Sequence, residues 1–232
     1  MRFLCLHGRG TNAKIFEMQT AKIREALDDH EFVFIDGTIN TVPAEGVSAI
    51  TDEFYGYFEE EVNVSNIQEL VLNMIEFVEA NGPFDAVMGF SEGGIIAAML
   101  LIEDSRQSFA GFRCGIFFSA APPLDPDVVR SGILRCVDPD RDGILIQVPT
   151  AHIGGSNECL ERLSLLSPLA PLWSKTPALL RDALVRLCDD DHRQVFLHSR
   201  GHDIPGANSP KELSGVLRAI ERTIDSASAH SA

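Results

Sequence analysis

The amino-acid sequence predicts an α/β fold, a mostly parallel central sheet with helices on both faces. Two observations carry the prediction: short apolar runs bounded by turn residues, and their regular alternation with stretches of helical period. Length and composition agree, because 232 residues with 45% hydrophobic and 23% charged side chains suit one large globular domain.

Arg2 to Leu6 reads as the first strand, and Ala13 to Leu27 as a helix with Ile15, Met18, Ile23, Ala26 and Leu27 near helical spacing. Glu31 to Asp36 is the second strand. The segment Gly37 to Val64 follows as an insertion, broken by Pro43, Gly46 and Gly56 and carrying the aromatic cluster Phe54, Tyr55, Tyr57 and Phe58. A loop of that length inside a domain is usually functional. Ser65 and Gln68 form a capping box for a helix whose Ile67, Leu70, Val71, Met74, Ile75 and Val78 share one face, and Asn81-Gly82-Pro83 ends it. Phe84 to Gly89 is a central strand, Glu92 to Ile102 an Ala- and Ile-rich helix, and Arg113 to Ser119 another buried strand. Ile144 to Ile153 and Arg193 to His198 complete the strands. Helices are expected near Leu160 and over Leu179 to Leu187, with a closing helix over Pro210 to Ile224 behind Ser209. The domain is expected to span residues 1–225, and residues 226–232 to form a disordered tail.

Nineteen Lys and Arg against 34 Asp and Glu give a net charge of −15. The resulting field repels phosphate backbones and anionic lipid surfaces, which argues against nucleic-acid and membrane partners. Phe3 to Leu6 is far too short for a signal peptide or a membrane span, so the expected location is the cytoplasm. Cys5, Cys114, Cys136, Cys159 and Cys188 are scattered with no C-x-x-C pair, and are expected to be reduced and mostly buried.

The most informative motif is Gly89-Phe90-Ser91-Glu92-Gly93-Gly94, a G-x-S-x-G between a predicted strand and a predicted helix. In that setting the serine sits on a strained turn at the strand end, glycines let neighbouring backbone approach, and the helix N-terminus offers N–H groups to a developing oxyanion. Outside it, the same serine is merely a helix cap. A serine hydroxyl also needs a base and an acid to orient that base. His202, in Ser199-Arg200-Gly201-His202-Asp203 after the last predicted strand, is the candidate base; His30, His192 and His230 read as surface or core residues. Glu158 is the candidate acid, being the first carboxylate after the Ile144 to Ile153 run. Asp189, Asp190 and Asp191 are its rivals, although they precede the last strand and read as a solvated turn. Backbone N–H groups of Arg9, in His7-Gly8-Arg9-Gly10, and of Glu92 are the expected oxyanion donors, with Gly10 in reserve.

The segments His7-Gly8, Phe34-Ile35-Asp36-Gly37, Gly89-Phe90-Ser91-Glu92-Gly93-Gly94, Pro149-Thr150-Ala151-His152-Ile153-Gly154-Gly155 and Gly201-His202, in that order, resemble the fungal FSH family of small serine hydrolases. The resemblance runs from Arg2 to about Arg222. It implies an α/β-hydrolase fold, cleavage of esters or thioesters without a metal or organic cofactor, Ser91 as nucleophile and His202 as base. It also implies a place in polyketide (secondary metabolite) biosynthesis, with an acyl carrier domain of a polyketide synthase as partner. The family usually has Asp at the acid position, and this sequence has Glu158.

An apolar slot for the acyl chain is expected from Phe54, Tyr55, Tyr57, Phe58, Leu124, Leu169, Leu172 and Trp173, although each of these side chains also suits plain packing. Two other classes compete. Gly8-x-Gly10-x-x-Ala13 follows a strand, opens a helix and has Asp36 at the end of the next strand, which is the fingerprint of a nucleotide-binding oxidoreductase. A non-catalytic binding protein on the hydrolase fold would keep the chain folded and Ser91 unreactive.

Overall fold

The computed structural model describes residues 1–47, 51–156, 168–172 and 177–229. Alternation along its first strand shows how the layers stack. In β1 (Arg2–Leu6), Leu4 and Leu6 join one core cluster while Phe3 and Cys5 join another. Side chains of a strand alternate between faces, so both faces are covered and the strand reads as an unbroken apolar run.

The first cluster takes Ile67, Met74 and Val78 from α3 (Val64–Asn81) and Ile95 to Ile102 from α4 (Glu92–Arg106). The second takes Phe16 from α1 (Ala13–Gln19), Ile23 from α2 (Ala21–Ala26), and Val216, Ile220 and Ile224 from the closing helix. Besides β1, the strands are β2 (Glu31–Ile35), β3 (Ile39–Asn40), β4 (Tyr55–Gly56), β5 (Ala86–Phe90), β6 (Cys114–Phe118), β7 (Thr150–Gly155) and β8 (Arg193–His198). Among the described residues, the remaining α-helices are α5 (Pro126–Arg130), α6 (Pro139–Asp142), α7 (Pro177–Arg186) and α8 (Pro210–Ala229).

Among the described residues, the main sheet has the order β2-β1-β5-β6-β7-β8, and every neighbouring pair is parallel. All its strands therefore end at one edge. The chain passes from β1 outward to β2 and then back to β5 on the other side of β1, so the ends of β1 and β5 flank the point where the strand order reverses. Ligands of open parallel sheets bind in the crevice at that point. The segment after β2 is an insertion, as expected, and holds the small antiparallel pair β3–β4.

Local departures from the expected elements have physical causes. The first helix is two, because Thr20 leaves helical geometry and turns its Oγ1 back to the Phe16 carbonyl at 2.8 Å. The cap of α3 is Asn63 rather than Ser65: Asn63 has extended backbone, and its Oδ1 accepts from Asn66 N at 3.0 Å. β7 begins at Thr150, just after Pro149, which has no N–H to donate. The helix expected near Leu160 falls outside the described residues. Cys5, Cys114, Cys136 and Cys188 are buried and form no disulfide among the described residues, which do not include Cys159. No described helix is long and apolar enough to cross a membrane.

α8 continues to Ala229, which corrects the tail expected from Ser226. Ala227 falls on the apolar stripe Val216, Ala219, Ile220, Thr223 and Ile224, is 2% exposed, and its carbonyl accepts from Arg113 Nη2 at 3.2 Å. Ala227→Asp would bury an unpaired carboxylate there and should cost about 2–3 kcal/mol in urea unfolding, whereas a disordered tail would absorb it at no cost.

Candidate active site

β5 runs into α4 through one residue, Ser91, whose backbone sits at φ 53 and ψ −114. A non-glycine residue in that region is strained and stays there only when its surroundings hold it. Here Ser91 N donates to Phe118 O at 2.8 Å, and Ser91 O accepts from Gly94 N at 3.0 Å and Ile95 N at 3.2 Å. The flanking glycines have no room for a side chain. A Cβ on Gly89 would lie 2.3 Å from Gly93 O, and one on Gly93 would lie 2.2 Å from Leu6 O. The G-x-S-x-G spacing thus follows from how closely the first turn of α4 packs on β1 and β5.

The loop after β1 passes beside this turn: a Cβ on Gly8 would stand 3.4 Å from Ser91 Cβ. The Gly8 carbonyl is held by its own loop. It accepts from Thr11 Oγ1 at 2.6 Å, His7 Nδ1 at 2.8 Å and Thr11 N at 3.2 Å. His7 is fully buried, and its Nε2 accepts from Gly37 N at 2.9 Å, which fixes the proton on Nδ1. Burial pushes its pKa below the ordinary histidine value and keeps it neutral. In a trans peptide the C=O and N–H point opposite ways, so the Arg9 N–H faces away from His7 and Thr11. Gly10, the reserve donor, is a correction. Its N–H donates to Tyr55 O at 2.9 Å, within the pairing of the loop after β1 with the insertion.

The residue after Ser91, an expected backbone donor, also carries a buried side chain. Glu92 is 5% exposed, and its carboxylate accepts from Tyr57 N at 3.1 Å and Arg9 Nη1 at 3.3 Å. Burial raises its pKa to about 7, against the opposing pull of Arg9 and of the Tyr57 and Phe58 amides. Sequence reasoning did not find this side-chain role. Neither the pattern nor the spacing of the motif signals it.

His202 follows β8, and its ring packs on that of Phe90, the residue before Ser91, at 4.9 Å between centroids. Its loop is anchored on both sides. Ser199 N and Oγ donate to Glu212 Oε1 at 2.8 and 2.6 Å, Ile204 is buried in the second core cluster, and the Gly201 carbonyl runs so close to Gly155 that a Cβ there would lie 2.3 Å away. The other histidine of that region, His152, is a core residue: it accepts or donates to Thr150 Oγ1 at 3.1 Å, and burial pushes its pKa down to about 3.

Glu158 lies outside the described residues, beyond β7 and past Ser156, whose N–H donates to His198 O at 2.7 Å. The rival acids are described, and they sit at the wrong end of the sheet. Asp189, Asp190 and Asp191 precede β8, whereas His202 follows it, so the length of a six-residue strand, about 20 Å, separates them. Asp190 pairs instead with Arg193 at 2.5 Å, and Asp189 Oδ1 accepts from Asp191 N at 2.8 Å.

The expected acyl slot is corrected in part. Tyr57, Phe58, Leu124 and Leu169 are at most 3% exposed and belong to the core. Tyr57 is drawn inward by two polar partners, because its N–H meets Glu92 and its hydroxyl accepts from His7 N at 3.2 Å. Phe54, Tyr55 and Leu172 are only partly buried, and Trp173 lies outside the described residues. The dinucleotide reading of Gly8 and Gly10 also fails on space and partners. A Cβ on Gly10 would lie 2.6 Å from Ala44 N, so the insertion fills the loop's open side, and Asp36 Oδ1 is occupied by Ala13 N at 2.7 Å.

A family model described as serine hydrolase (FSH1) matches residues 1–212. Similar curated proteins include the esterase FPY3 of Fusarium mangiferae, 31% identical over 234 residues and 98% of each chain. The esterase alnB of Emericella nidulans is 35% identical over 275 residues, covering 96% of each. A solved carboxylesterase from Mesorhizobium loti superimposes with a TM-score of 0.56 at 17% identity, over 95% of this chain and 88% of its own, and shares the α/β-hydrolase fold.

The Glu92 environment has a measurable consequence for stability. A carboxyl with a raised folded pKa holds its proton more tightly folded than unfolded. Its contribution is complete below the ordinary 4.5 and is lost as pH climbs through about 7. Glu92→Gln carries no such dependence. The stability difference between variant and wild type should therefore move in the variant's favour by on the order of 2 kcal/mol between pH 4.5 and 7.5, and a flat difference would show that Glu92 is not buried as described.

Proposed function

The chain belongs to the FSH1 serine hydrolase family and acts on ester bonds, and from that premise we propose a Ser91–His202–Glu158 triad working through an acyl-enzyme. The observation that carries the reading is the strained Ser91 turn, with Gly8 beside it and the His202 ring on Phe90.

In this mechanism His202 takes the Ser91 hydroxyl proton as Oγ attacks the carbonyl carbon. The tetrahedral oxyanion is held by the N–H groups of Arg9 and Glu92, an assignment supported by the inward-turned Gly8 carbonyl and by the position of Glu92 in the first turn of α4. Among the described residues, no backbone carbonyl accepts from Arg9 N. His202 then gives its proton to the departing alcohol or thiol, and a water activated by the same imidazole cleaves the acyl-enzyme. Glu158 would orient the imidazole, a role supported by its place just after β7 and by the distance of Asp189 to Asp191 from that edge. A non-hydrolytic role for the fold gains no support from this geometry.

The finer proposal is that the acyl group arrives as an ester or thioester in polyketide biosynthesis, presented free or on an acyl carrier domain. Its support is the whole-chain resemblance to a family with such members. Partly buried Phe54, Tyr55 and Leu172 are the residues proposed to face the acyl chain.

Exposure to a fluorophosphonate, read by intact mass, should give one adduct on wild type, none on Ser91→Ala, and a strongly slowed adduct on His202→Ala and Glu158→Ala. Hydrolysis of a p-nitrophenyl ester should fall about 10³-fold or more in Ser91→Ala. An unlabelled, well-folded wild type would overturn the triad, and wild-type labelling of Glu158→Ala would move the acid elsewhere.

A further inference from the structure

The two residues assigned as oxyanion donors are also joined through their side chains. Arg9 Nη1 reaches Glu92 Oε1 at 3.3 Å and donates to Phe58 O at 2.8 Å, while Nη2 pairs with Glu60. Glu92 Oε2 accepts from Tyr57 N at 3.1 Å. The two side chains are 16% and 5% exposed. Gly56 makes room for them, since a Cβ there would lie 2.8 Å from Glu92 Oε2 and 3.1 Å from Arg9 Nη1.

We infer that the Arg9–Glu92 pair positions the oxyanion hole, locking the loop after β1 to the first turn of α4 and strapping both to the insertion at Tyr57–Glu60. The inference rests on the donor assignment above. A buried ion pair adds little net stability, so its effect at this place is better sought in geometry. Donors act on an oxyanion only at hydrogen-bond distance, and a shift of 1 Å at a reacting centre costs about a hundredfold. The guanidinium has a second effect, because it offsets a carboxylate that would otherwise oppose negative charge forming one residue away.

The titratable groups facing Glu92 are Arg9 and Tyr57, with Glu60 on the outer side of Arg9; His7 lies behind Tyr57, and Asp36 beyond it. Protonation of Glu92 therefore breaks the charge pairing with Arg9. Activity should fall with it, in addition to the loss caused by protonating the base.

The test is p-nitrophenyl ester hydrolysis from pH 5 to 9 by wild type, Glu92→Gln, Arg9→Met and the double variant Arg9→Met/Glu92→Met, each checked for folding by circular dichroism. Each single change should lower kcat about tenfold to a hundredfold with KM within about twofold, and the double variant should be no slower than the slower single. The acid limb of log kcat should be steeper than one proton in wild type and one-proton in Glu92→Gln. Unchanged kcat in the folded singles, additive losses, or equal acid limbs would overturn the inference. The double variant replaces the pair with apolar side chains, a change that folds tolerate. If a single variant does not fold, a double variant with wild-type kcat overturns the inference on its own. Fluorophosphonate labelling separates the two readings: an unlabelled wild type removes the donor assignment and this inference with it, while a labelled wild type matched by its variants removes only the pair.

Discussion

The close approach of the first turn of α4 to the end of β1 is the constraint on which the rest of the site depends. Gly93 has no side chain because the Leu6 carbonyl lies where a Cβ would be, at 2.2 Å. With the helix that near, the chain leaving β5 has one residue in which to turn, and Ser91 takes a backbone conformation that L-residues avoid. The same contact sets the loop after β1 beside Ser91 and aligns the start of α4 with it. The strain at Ser91 is held by the hydrogen bond from its N–H to Phe118, itself part of the neighbouring strand.

The insertion after β2 acts as a buttress to this contact. Tyr55 pairs with Gly10 and Thr11, Tyr57 binds His7 through its hydroxyl and Glu92 through its N–H, and Phe58 packs into the core while its carbonyl takes Arg9. Each of these bonds satisfies a polar group buried near the switch point of the sheet, where an unpaired one would be costly. His202, on a loop anchored by Glu212 and Ile204, packs its ring on that of Phe90.

The parts of this structure legible in the sequence are those dictated by local backbone demands. Glycines two residues either side of Ser91, an apolar run before it and an Ala- and Ile-rich helix after it are read from neighbours in the chain, as is the parallel sheet from buried runs such as Cys114–Phe118. The parts that escaped depend on partners far along the chain. His7 takes its fixed tautomer from Gly37, thirty residues on, and Glu92 finds its partners at Arg9 and Tyr57. Tyr57 and Phe58 look like a binding slot in a Gly-broken loop and prove to be core, because burial there is decided by the polar partners of the adjacent backbone. The cap of α3 fell at Asn63 for a related reason, the chain entering the helix two residues before the serine that matched the motif.

A crystal structure of the phosphonyl adduct formed with a fluorophosphonate tests the central claim most directly. The account requires phosphorus bonded to Ser91 Oγ and the anionic oxygen about 2.7–3.1 Å from both Arg9 N and Glu92 N, the distance at which such donors act. An adduct on Ser91 with that oxygen turned to solvent, or held by other groups, would contradict it.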